Sequence, residues 1–419
     1  RRGRMGRRDR DHLERSRRTV TIREIQRVCF VGAGAMGCFN SLKAAISGYD
    51  VVLYDIDELM LAQVAHRHQE SAAFLVSSGY CAAGDIPSAL LRVSLVADLA
   101  EATLNADLVS ESVSERLDVK REVHRTLDQV CPPSTILTSN TSFLCLSDFE
   151  DVVERGDRIA ALHSYMASPL IDIVGGVRTS AATLDILKRY ALSMNTVPLV
   201  LKKEYPGYIL NAMLGPVLST SMYLLVAENA TCTEVDRAWM RAHSAPMGPL
   251  GILDLIGISL VYDSWLDRED EGLIPGLRPQ VLELLRPYVE RDELGMRSGC
   301  GFYRYPDPVY QQSNFLEAER ERDDLYKPLQ LALLGSALVV AASEVAEPAV
   351  IDQAWRVGMA LQAGPFEILE KMGVVEFRQA FSEHVESSRF DSERARSALD
   401  YLDQYEANTH HARRAGIPR

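Results

Sequence analysis

The chain has 419 residues, of which 47% are hydrophobic and 25% are charged, and its mean hydropathy is −0.07. This composition is typical of soluble globular proteins and excludes collagen-like, disordered and disulfide-scaffold classes, while the length predicts two or three domains. A formal net charge of −13 disfavours nucleic-acid binding, and no apolar run approaches the ~18 residues needed to span a bilayer.

The first residues are strongly basic. Residues 1–18 carry nine Arg against three acidic residues, and they lack the apolar stretch of a signal peptide. We interpret residues 1–25 as a disordered, Arg-rich leader, with an arm that binds RNA or a membrane surface as the alternative. The seven Cys, from Cys29 to Cys300, show no C-x-x-C spacing, which indicates reduced thiols in a cytoplasmic protein.

From residue 27 to about 200, short β-branched runs alternate with longer helical patterns, as a parallel α/β sheet requires. A strand at 27–31 is followed by a helix over 35–47 and a strand at 51–54. Residues 57–78 predict a long helix, and the segment up to Asp98 predicts a second helix that turns back. Further strands are predicted at 107–111, 135–138, 158–162, 171–174 and 197–201. Residues 26–202 are therefore predicted to form a Rossmann-type domain with a parallel sheet.

A glycine-rich turn directly follows the first predicted strand. Gly32, Gly34 and Gly37 have G-x-G-x-x-G spacing, with Met36 between the last two, and Asp55 ends the second strand. Such glycines allow backbone amides to approach a pyrophosphate at a helix N-terminus, while the carboxylate accepts hydrogen bonds from a ribose diol. Because no Arg follows Asp55 closely to bind a 2′-phosphate, the pattern predicts NAD rather than NADP.

After residue 203 the chain is dominated by Ala-, Leu- and Met-rich helical patterns, and these contain an internal repeat. Val-Asp-Arg-Ala-Trp at 235–239 recurs as Ile-Asp-Gln-Ala-Trp at 351–355, an offset of 116 residues. The same offset relates Gly-Pro at 248–249 to Gly-Pro at 364–365. We interpret 203–306 and 307–419 as two copies of one helical unit, which together form an all-α region.

Three further segments resemble the 3-hydroxyacyl-CoA dehydrogenase family. They are Ser-Asn-Thr-Ser at 139–142, His163 21 residues after Ser142, and Pro-Gly-Tyr-Ile-Leu-Asn at 206–211. Pro-Met-Gly-Pro at 246–249 and Gly-Phe-Tyr at 301–303 also match the family pattern. The resemblance covers residues 26–306, and the repeat extends it to about 380, as in longer members with a duplicated C-terminal domain.

This resemblance implies oxidation of a secondary alcohol at C3 of a thioester, with NAD as the hydride acceptor. It implies that His163 is the general base, a role that suits a group with a near-neutral pKa. It also implies that Ser142 and Asn211 hydrogen-bond the reacting oxygen and the imidazole. Residues near the cofactor are then Glu115, Lys120 and Asn140, together with the glycine turn. The sequence contains no metal-ligand cluster.

The segment after His163 departs from the family pattern, which has a Glu that orients the His. Counted without gaps, Gly175 takes the position of that Glu, and His163 has no carboxylate partner. If the connection is three residues shorter, Pro169 to Gly176 match the family strand, and Asp172 replaces the Glu. We favour the second alignment because four pattern positions then agree. Loss of a base-orienting carboxylate can reduce the rate by orders of magnitude.

The acyl carrier is a separate question. Between Asp55 and Asp107 the only Lys or Arg residues are Arg67 and Arg92, whereas the same stretch has eight acidic residues, counting both ends. Such a surface is a poor partner for the phosphates of CoA and favours an acyl-carrier-protein thioester or a free hydroxy acid. A solvated helix face is the alternative interpretation.

The sequence therefore predicts a cytoplasmic, NAD-dependent dehydrogenase of a 3-hydroxyacyl thioester, linked to CoA or to an acyl carrier protein, in fatty acid or specialised metabolism. The alternatives are a free hydroxy-acid dehydrogenase of lambda-crystallin type and a catalytically weakened NAD-binding protein with a structural role. No nucleic-acid or membrane partner is predicted. A monomer and a homodimer are both compatible with the duplicated helical unit.

Overall fold

The computed structural model describes residues 25–166, 168–266, 274, 276–317, 322–387 and 389–415. The predicted Arg-rich leader lies outside the described residues, except for Ile25. The chain divides into two compact units, the first ending at Val200 and the second beginning at Leu201. Both predicted helical copies belong to the second unit, and their folding as separate domains stays a prediction.

The first unit contains an eight-stranded sheet whose central strands are buried on both faces, as their continuous apolar sequences require. The strand order is β3-β2-β1-β4-β5-β6-β7-β8. All neighbouring strands are parallel except β6 and β7, which are antiparallel. The strands are β1 (Arg27–Val31), β2 (Asp50–Tyr54), β3 (Val93–Val96), β4 (Leu108–Glu111), β5 (Ile136–Ser139), β6 (Ile159–Ser164), β7 (Leu170–Gly175) and β8 (Val197–Val200).

Seven α-helices connect these strands in the described part of the first unit. They are α1 (Ala35–Ile46), α2 (Glu58–Ala62), α3 (Val64–Ser77), α4 (Ile86–Leu90), α5 (Leu99–Thr103), α6 (Leu117–Val130) and α7 (Ala181–Ser193). Phe39 and Leu42 of α1 pack into the same core cluster as Val28 and Phe30 of β1. This packing places the N-terminus of α1 directly after the glycine turn.

Three sequence predictions need correction. The helix predicted over 57–78 is divided between α2 and α3 at Gln63, and the second helix predicted up to Asp98 gives way to the edge strand β3. This strand has only four residues, and Leu95 is 47% exposed, so it carries neither a long apolar run nor a clear alternation. Moreover, β7 is not parallel to β6, because the residues between Ser164 and Leu170 are too few for a crossover helix.

The second unit is helical, and its helices repeat in the same order. The first copy contains α8 (Leu210–Ala227), α9 (Cys232–His243), α10 (Pro249–Ile256), α11 (Ile258–Leu266) and α12 (Leu277–Glu290). The second copy contains α13 (Tyr326–Ala342), α14 (Pro348–Met359), α15 (Pro365–Met372), α16 (Val374–Glu386) and α17 (Ser392–Ala415). The bounds of α9 and α10 map onto those of α14 and α15 with an offset of 116 residues.

The repeated motif residues have a structural function. The carboxylate of Asp236 accepts a hydrogen bond from the backbone N–H of Leu250 (2.8 Å), and Asp352 accepts the equivalent bond from Phe366 (2.7 Å). Burial raises the pKa of Asp236 to about 7 and that of Asp352 to about 6. Each carboxylate therefore caps the helix that begins at the Pro of the repeated Gly-Pro.

Two described helices are long and apolar enough, by length and composition, to cross a membrane, and the bent pair α10–α11 would make a third if counted as one span. They are Leu210–Ala227 and Asp323–Ala342, with mean hydropathies of 1.4 and 1.5. The prediction that no segment has this character is therefore wrong. In this structure 56% and 72% of the two segments is buried, and α8 packs against α13 within the second unit.

Candidate active site

The carboxyl ends of the parallel strands β1, β2, β4, β5 and β6 lie at one edge of the sheet. The predicted site residues of the first unit follow these ends or lie near them. In open α/β sheets, ligands bind at this edge, where loops and helix N-termini meet.

The glycine turn after β1 fits a dinucleotide. Gly37 and Gly32 allow the helix and the turn to pack closely. A Cβ on Gly37 would lie 1.7 Å from the carbonyl oxygen of Gly32, and Gly32 has a φ of +104°. Gly34 differs, since a Cβ there would meet nothing within 4 Å. Gly34 is also the N-cap of α1 and provides no side-chain cap, so the first backbone N–H groups of α1 face an open approach.

Asp55 follows β2 and is tied to the glycine turn. Its Oδ2 accepts a hydrogen bond from the backbone N–H of Ala33 (2.7 Å), and its Oδ1 accepts one from Asp57 (3.0 Å). Each carboxylate oxygen has a second lone pair for a ribose hydroxyl. Arg67, from α3, donates to the carbonyl oxygen of Ala33 and to Gln63 Oε1 (2.7 Å), so this Arg is nearer to the turn than its sequence position indicated.

A buried ionic cluster is centred on Glu111, the last residue of β4, near the carboxyl edge of the sheet. Lys120 Nζ donates to Glu111 Oε1 (2.8 Å), Ser139 Oγ donates to Oε2 (2.6 Å), and His124 Nε2 lies 3.3 Å from Oε2. Burial alone would raise the pKa of Glu111, but the hydrogen bond from His124 and the charge of Lys120 lower it to about 2. This cluster joins β4, β5 and α6.

Glu115 positions the loop after β5. Its Oε1 accepts hydrogen bonds from Thr141 Oγ1 (2.6 Å) and from the backbone N–H groups of Ser142 (2.7 Å) and Phe143 (2.9 Å), while Lys120 Nζ lies 3.3 Å from its Oε2. Burial opposes ionisation of Glu115, yet Lys120 and these donors lower its pKa. Lys120 itself is only 1% exposed. Direct contact of either side chain with the cofactor stays a prediction.

The side-chain amide of Asn140 is held in one orientation. Its Oδ1 accepts hydrogen bonds from the backbone N–H of Ser164 (2.8 Å) and from Ser164 Oγ (3.2 Å), and the same hydroxyl lies 2.8 Å from Oδ1 of Asn40 on α1. Since the amide oxygen takes these donors, its NH2 group is the part left for a ligand.

His163, near the end of β6, lies between a hydroxyl and a carboxylate. Its Nε2 is 3.2 Å from Ser142 Oγ, and its Nδ1 is 3.1 Å from Asp172 Oδ2. Asp172 is fully buried, and His163 is 4% exposed. A carboxylate accepts hydrogen bonds and does not donate, so Nδ1 carries the proton in this pair. In the neutral ring, Nε2 is then the proton acceptor.

Strand register explains why the short side chain of Asp172 reaches the imidazole. His163 and Asp172 are directly opposite each other in the antiparallel pair of β6 and β7, whereas Gly175 is opposite Ala160. Side chains of opposed residues lie on the same face with their Cβ atoms about 5 Å apart. The register therefore places the carboxylate of Asp172, and not Gly175, beside His163, while the replacement of the family Glu by Asp172 stays a prediction.

Several residues of the site were missed by sequence reasoning. Tyr165 Oη donates to Asp172 Oδ2 (2.6 Å), and its ring meets that of His163 edge-to-face at 4.5 Å. The available signal was its position two residues after His163, because alternate residues of a strand share a face. Asn40 gave no signal, since its contact with Ser164 joins residues 124 positions apart.

Other predicted residues are placed as follows. Met36 is half-buried in the first turn of α1, and Asn211 is half-buried near the start of α8 in the second unit. The hydrogen bonds predicted for Asn211 stay a prediction. Among the described residues, no group of three or more His, Cys, Asp or Glu side chains could hold a metal ion.

Two family models together match most of this chain. Residues 27–205 match the 3-hydroxyacyl-CoA dehydrogenase NAD binding domain, and residues 207–305 match the C-terminal domain of that family. A probable 3-hydroxybutyryl-CoA dehydrogenase of Bacillus subtilis is 31% identical over 288 residues, which are 68% of this chain and 99% of that protein. Human mitochondrial hydroxyacyl-coenzyme A dehydrogenase is 30% identical over 292 residues, which are 67% of this chain and 91% of that protein.

Solved structures are also similar. A diketoreductase described as acting on dicarbonyl compounds is 31% identical with a TM-score of 0.62, covering 68% of this chain and all (100%) of that chain. The 3-hydroxybutyryl-CoA dehydrogenase of Escherichia coli has a TM-score of 0.69 and covers 91% of this chain and 99% of that chain. At 22% identity, the second likeness shows the fold alone.

Proposed function

Since this chain belongs to the 3-hydroxyacyl-CoA dehydrogenase family, with NAD as its cofactor, we propose that it interconverts a 3-hydroxyacyl thioester and its 3-oxo form, with His163 as the general base. The observation that carries the proposal is the hydrogen-bonded series of Ser142, His163 and Asp172. A base beside a hydroxyl group and oriented by a carboxylate is the arrangement that removal of an alcohol proton requires.

In the oxidation direction, Nε2 of His163 accepts the proton of the C3 hydroxyl. Ser142 Oγ, 3.2 Å from Nε2, is placed to hydrogen-bond the same oxygen. Asp172 then stabilises the imidazolium through Nδ1 and keeps the ring in the tautomer that leaves Nε2 free to accept. In the reverse direction, the same Nε2–H returns the proton to the developing alkoxide.

The residues that would hold NAD are the glycine turn, the uncapped N-terminus of α1 and Asp55. When bound, NAD supplies the nicotinamide that accepts hydride from C3. Asn140, whose amide oxygen is occupied by Ser164, would present its NH2 group to the cofactor or to the substrate carbonyl.

The test is NADH formation with a 3-hydroxyacyl thioester by the purified protein and by His163→Gln. We expect turnover by the unmodified protein and loss of about two orders of magnitude or more in the variant, because general base catalysis contributes roughly 10²–10⁴-fold. His66→Gln is the matched control, since His66 is 76% exposed and pairs with Glu70 on the surface of α3. Equal turnover by the unmodified protein and His163→Gln would contradict the role of His163.

A carrier-protein thioester is a second candidate substrate, favoured by the surface of α2 to α4. Glu58, Glu70 and Asp85 are exposed there, and Arg67 donates to Ala33 and Gln63 instead of standing free for a phosphate. One hydroxyacyl group should therefore be assayed as the CoA ester, the carrier-protein ester and the free acid. A clear preference for the CoA ester contradicts the argument from the acidic surface, and a preference for the free acid supports the hydroxy-acid alternative.

The catalytically weakened alternative required that His163 have no carboxylate within reach. The distance of 3.1 Å between Nδ1 and Asp172 Oδ2 argues against it. Absence of NADH formation with all three substrates, together with intact NAD binding, would support that alternative instead.

A further inference from the structure

Tyr165 contacts the carboxylate of Asp172, and the proposed reaction assigns this tyrosine no role. Its hydroxyl donates to Oδ2 of Asp172 at 2.6 Å, and this same oxygen lies 3.1 Å from Nδ1 of His163. Asp172 Oδ2 therefore accepts hydrogen bonds from both His163 and Tyr165. These two residues are two positions apart along β6 and the residue that follows it, so they share one face.

The other oxygen of the Asp172 carboxylate, Oδ1, differs from Oδ2 in its hydrogen bonding. Asp172 Oδ1 is buried and has no hydrogen-bond partner among the described residues. The rotation of the carboxylate about its Cβ–Cγ bond is thus determined by what binds Oδ2. Without the hydroxyl of Tyr165, the imidazole alone would have to hold the carboxylate in this rotation.

We propose that Tyr165 is a positioning residue that acts on His163 through Asp172. Its hydroxyl keeps Oδ2 directed at Nδ1, and by donating to that oxygen it withdraws part of the negative charge that the imidazolium experiences. The edge-to-face contact of the two rings, with centroids 4.5 Å apart, also limits rotation of the imidazole. This inference rests on the proposed function of His163 as the base.

Other elements of the first unit also contribute to the surroundings of His163. On the side of Ser142, Glu115 accepts a hydrogen bond from the Ser142 backbone and is paired with Lys120 of α6. The strand next to β7 is β8, and its sequence Val-Pro-Leu-Val contains no titratable side chain. Asp172 and Tyr165 are two groups of the first unit in direct contact with the ring of His163.

Substitution of Tyr165 and of Asp172 should shift the pH dependence of oxidation in opposite directions. In Tyr165→Phe the carboxylate bears more charge and stabilises the imidazolium more strongly, so the acidic limb of kcat/KM moves to higher pH by about half a unit or more. In Asp172→Asn the imidazolium loses its counter-charge, so the limb moves to lower pH. We also expect kcat of Tyr165→Phe to fall by about tenfold, with little change in the KM for NAD.

Tyr80→Phe is the matched control. The hydroxyl of Tyr80 also donates to a buried partner, the carbonyl oxygen of Met194 (2.7 Å), but it is not bonded to the site residues. This variant should lose stability without a shift of the pH profile. A profile of Tyr165→Phe that coincides with that of the unmodified protein, or a shift to lower pH, would overturn the proposal.

A measurement that needs no turnover separates this inference from the proposed function. The protonation midpoint of the His163 ring can be followed by ¹⁵N NMR, with His163→Gln used to assign the signal. A higher midpoint in Tyr165→Phe supports the role of Tyr165 even if no thioester is oxidised. An unchanged midpoint contradicts it even if the enzyme is active.

Discussion

At the scale of single residues, the site depends on which side chains are opposed across β6 and β7. Asp172 reaches the imidazole although its side chain is short, because its Cα is directly opposite that of His163. Ser164 lies between His163 and Tyr165 along the chain and faces the other side of the sheet, where its hydroxyl meets Asn40 and Asn140. Residues 163–165 thus provide the base His163 and the hydroxyl of Tyr165 on one face, and on the other face Ser164, which holds the amide of Asn140.

Asp172→Asn should lower kcat by about two to four orders of magnitude, because the imidazole is then no longer held in the productive tautomer. NAD affinity should be nearly unchanged, since Asp172 is not part of the glycine turn. Steady-state kinetics and titration with NAD measure the two effects. Asp185→Asn, which removes one partner of an exposed pair with Arg189, is the control. Equal turnover in Asp172→Asn would reject the pairing with His163.

Ser164→Ala removes the hydroxyl that bridges Asn40 and Asn140, while the backbone donor to Asn140 remains. We expect a weakening of NAD or substrate binding by about threefold to tenfold, the equivalent of one hydrogen bond of roughly 1 kcal/mol. Isothermal titration with NAD, combined with the KM for the thioester, would show which ligand Asn140 serves. Ser88→Ala, at an exposed position of α4 in the first unit, should change neither.

At the scale of secondary-structure elements, the glycines of the turn after β1 have two different functions, close packing and access for a ligand. Gly37 allows α1 to pack against the turn, whereas Gly34 borders open space at the N-terminus of the helix. Below this edge, the cluster around Glu111 joins β4 to β5 and α6. The edge of the sheet is therefore supported by a buried ionic group, while its loops stay open to a ligand.

Substitution of the two glycines should separate folding from binding. Gly37→Ala forces a Cβ to within 1.7 Å of the Gly32 carbonyl, so α1 must shift and thermal stability should fall. Gly34→Ala meets nothing within 4 Å, so the melting temperature should stay near that of the unmodified protein while NAD affinity falls. Gly84→Ala, also in open space, is the control. Unchanged NAD affinity in Gly34→Ala would argue against the approach of the pyrophosphate at this point.

Acid should destabilise the fold through Glu111. Its pKa is about 2 in the folded protein, against 4.5 as the ordinary value. A carboxyl whose folded pKa is lowered stabilises the fold above its unfolded pKa, and this contribution is lost as the pH falls from about 4.5 to about 2. Denaturant titrations across this range should show a smaller loss of stability in Glu111→Gln than in the unmodified protein. A parallel decrease in both would contradict the assignment.

At the scale of the whole chain, the second unit contains two sets of helices that follow in the same order, two of them with an offset of 116 residues. The rings of Trp239 and Trp355, related by the repeat, meet edge-to-face with centroids 6.3 Å apart. The helices α8 and α13 pack on each other and contain two long apolar segments of the described second unit. Each copy therefore buries its apolar face against the other.

This internal pairing leads us to expect a monomer. The mass measured by light scattering after size-exclusion chromatography should be near 46.6 kDa and independent of concentration. Trp355→Ala should lower the stability of the second unit by about 3–5 kcal/mol, as loss of a buried Trp generally does. A tight dimer that is disrupted by substitution within the repeat contact would contradict this expectation.

The sequence by itself determined the class of fold, the NAD turn and the repeat, because these depend on local spacing and on periodic burial. It also brought Ser142, His163 and Asp172 together as candidates through motif resemblance. It favoured Asp172 over the ungapped alignment that leaves His163 without a carboxylate, but it could not establish this contact, because strand register depends on how the connection after Ser164 closes. It likewise missed Asn40 and β3, whose contacts join distant positions or a short exposed edge. Only the tertiary structure decided these points, since hydrogen bonds between distant residues leave no local pattern in the chain.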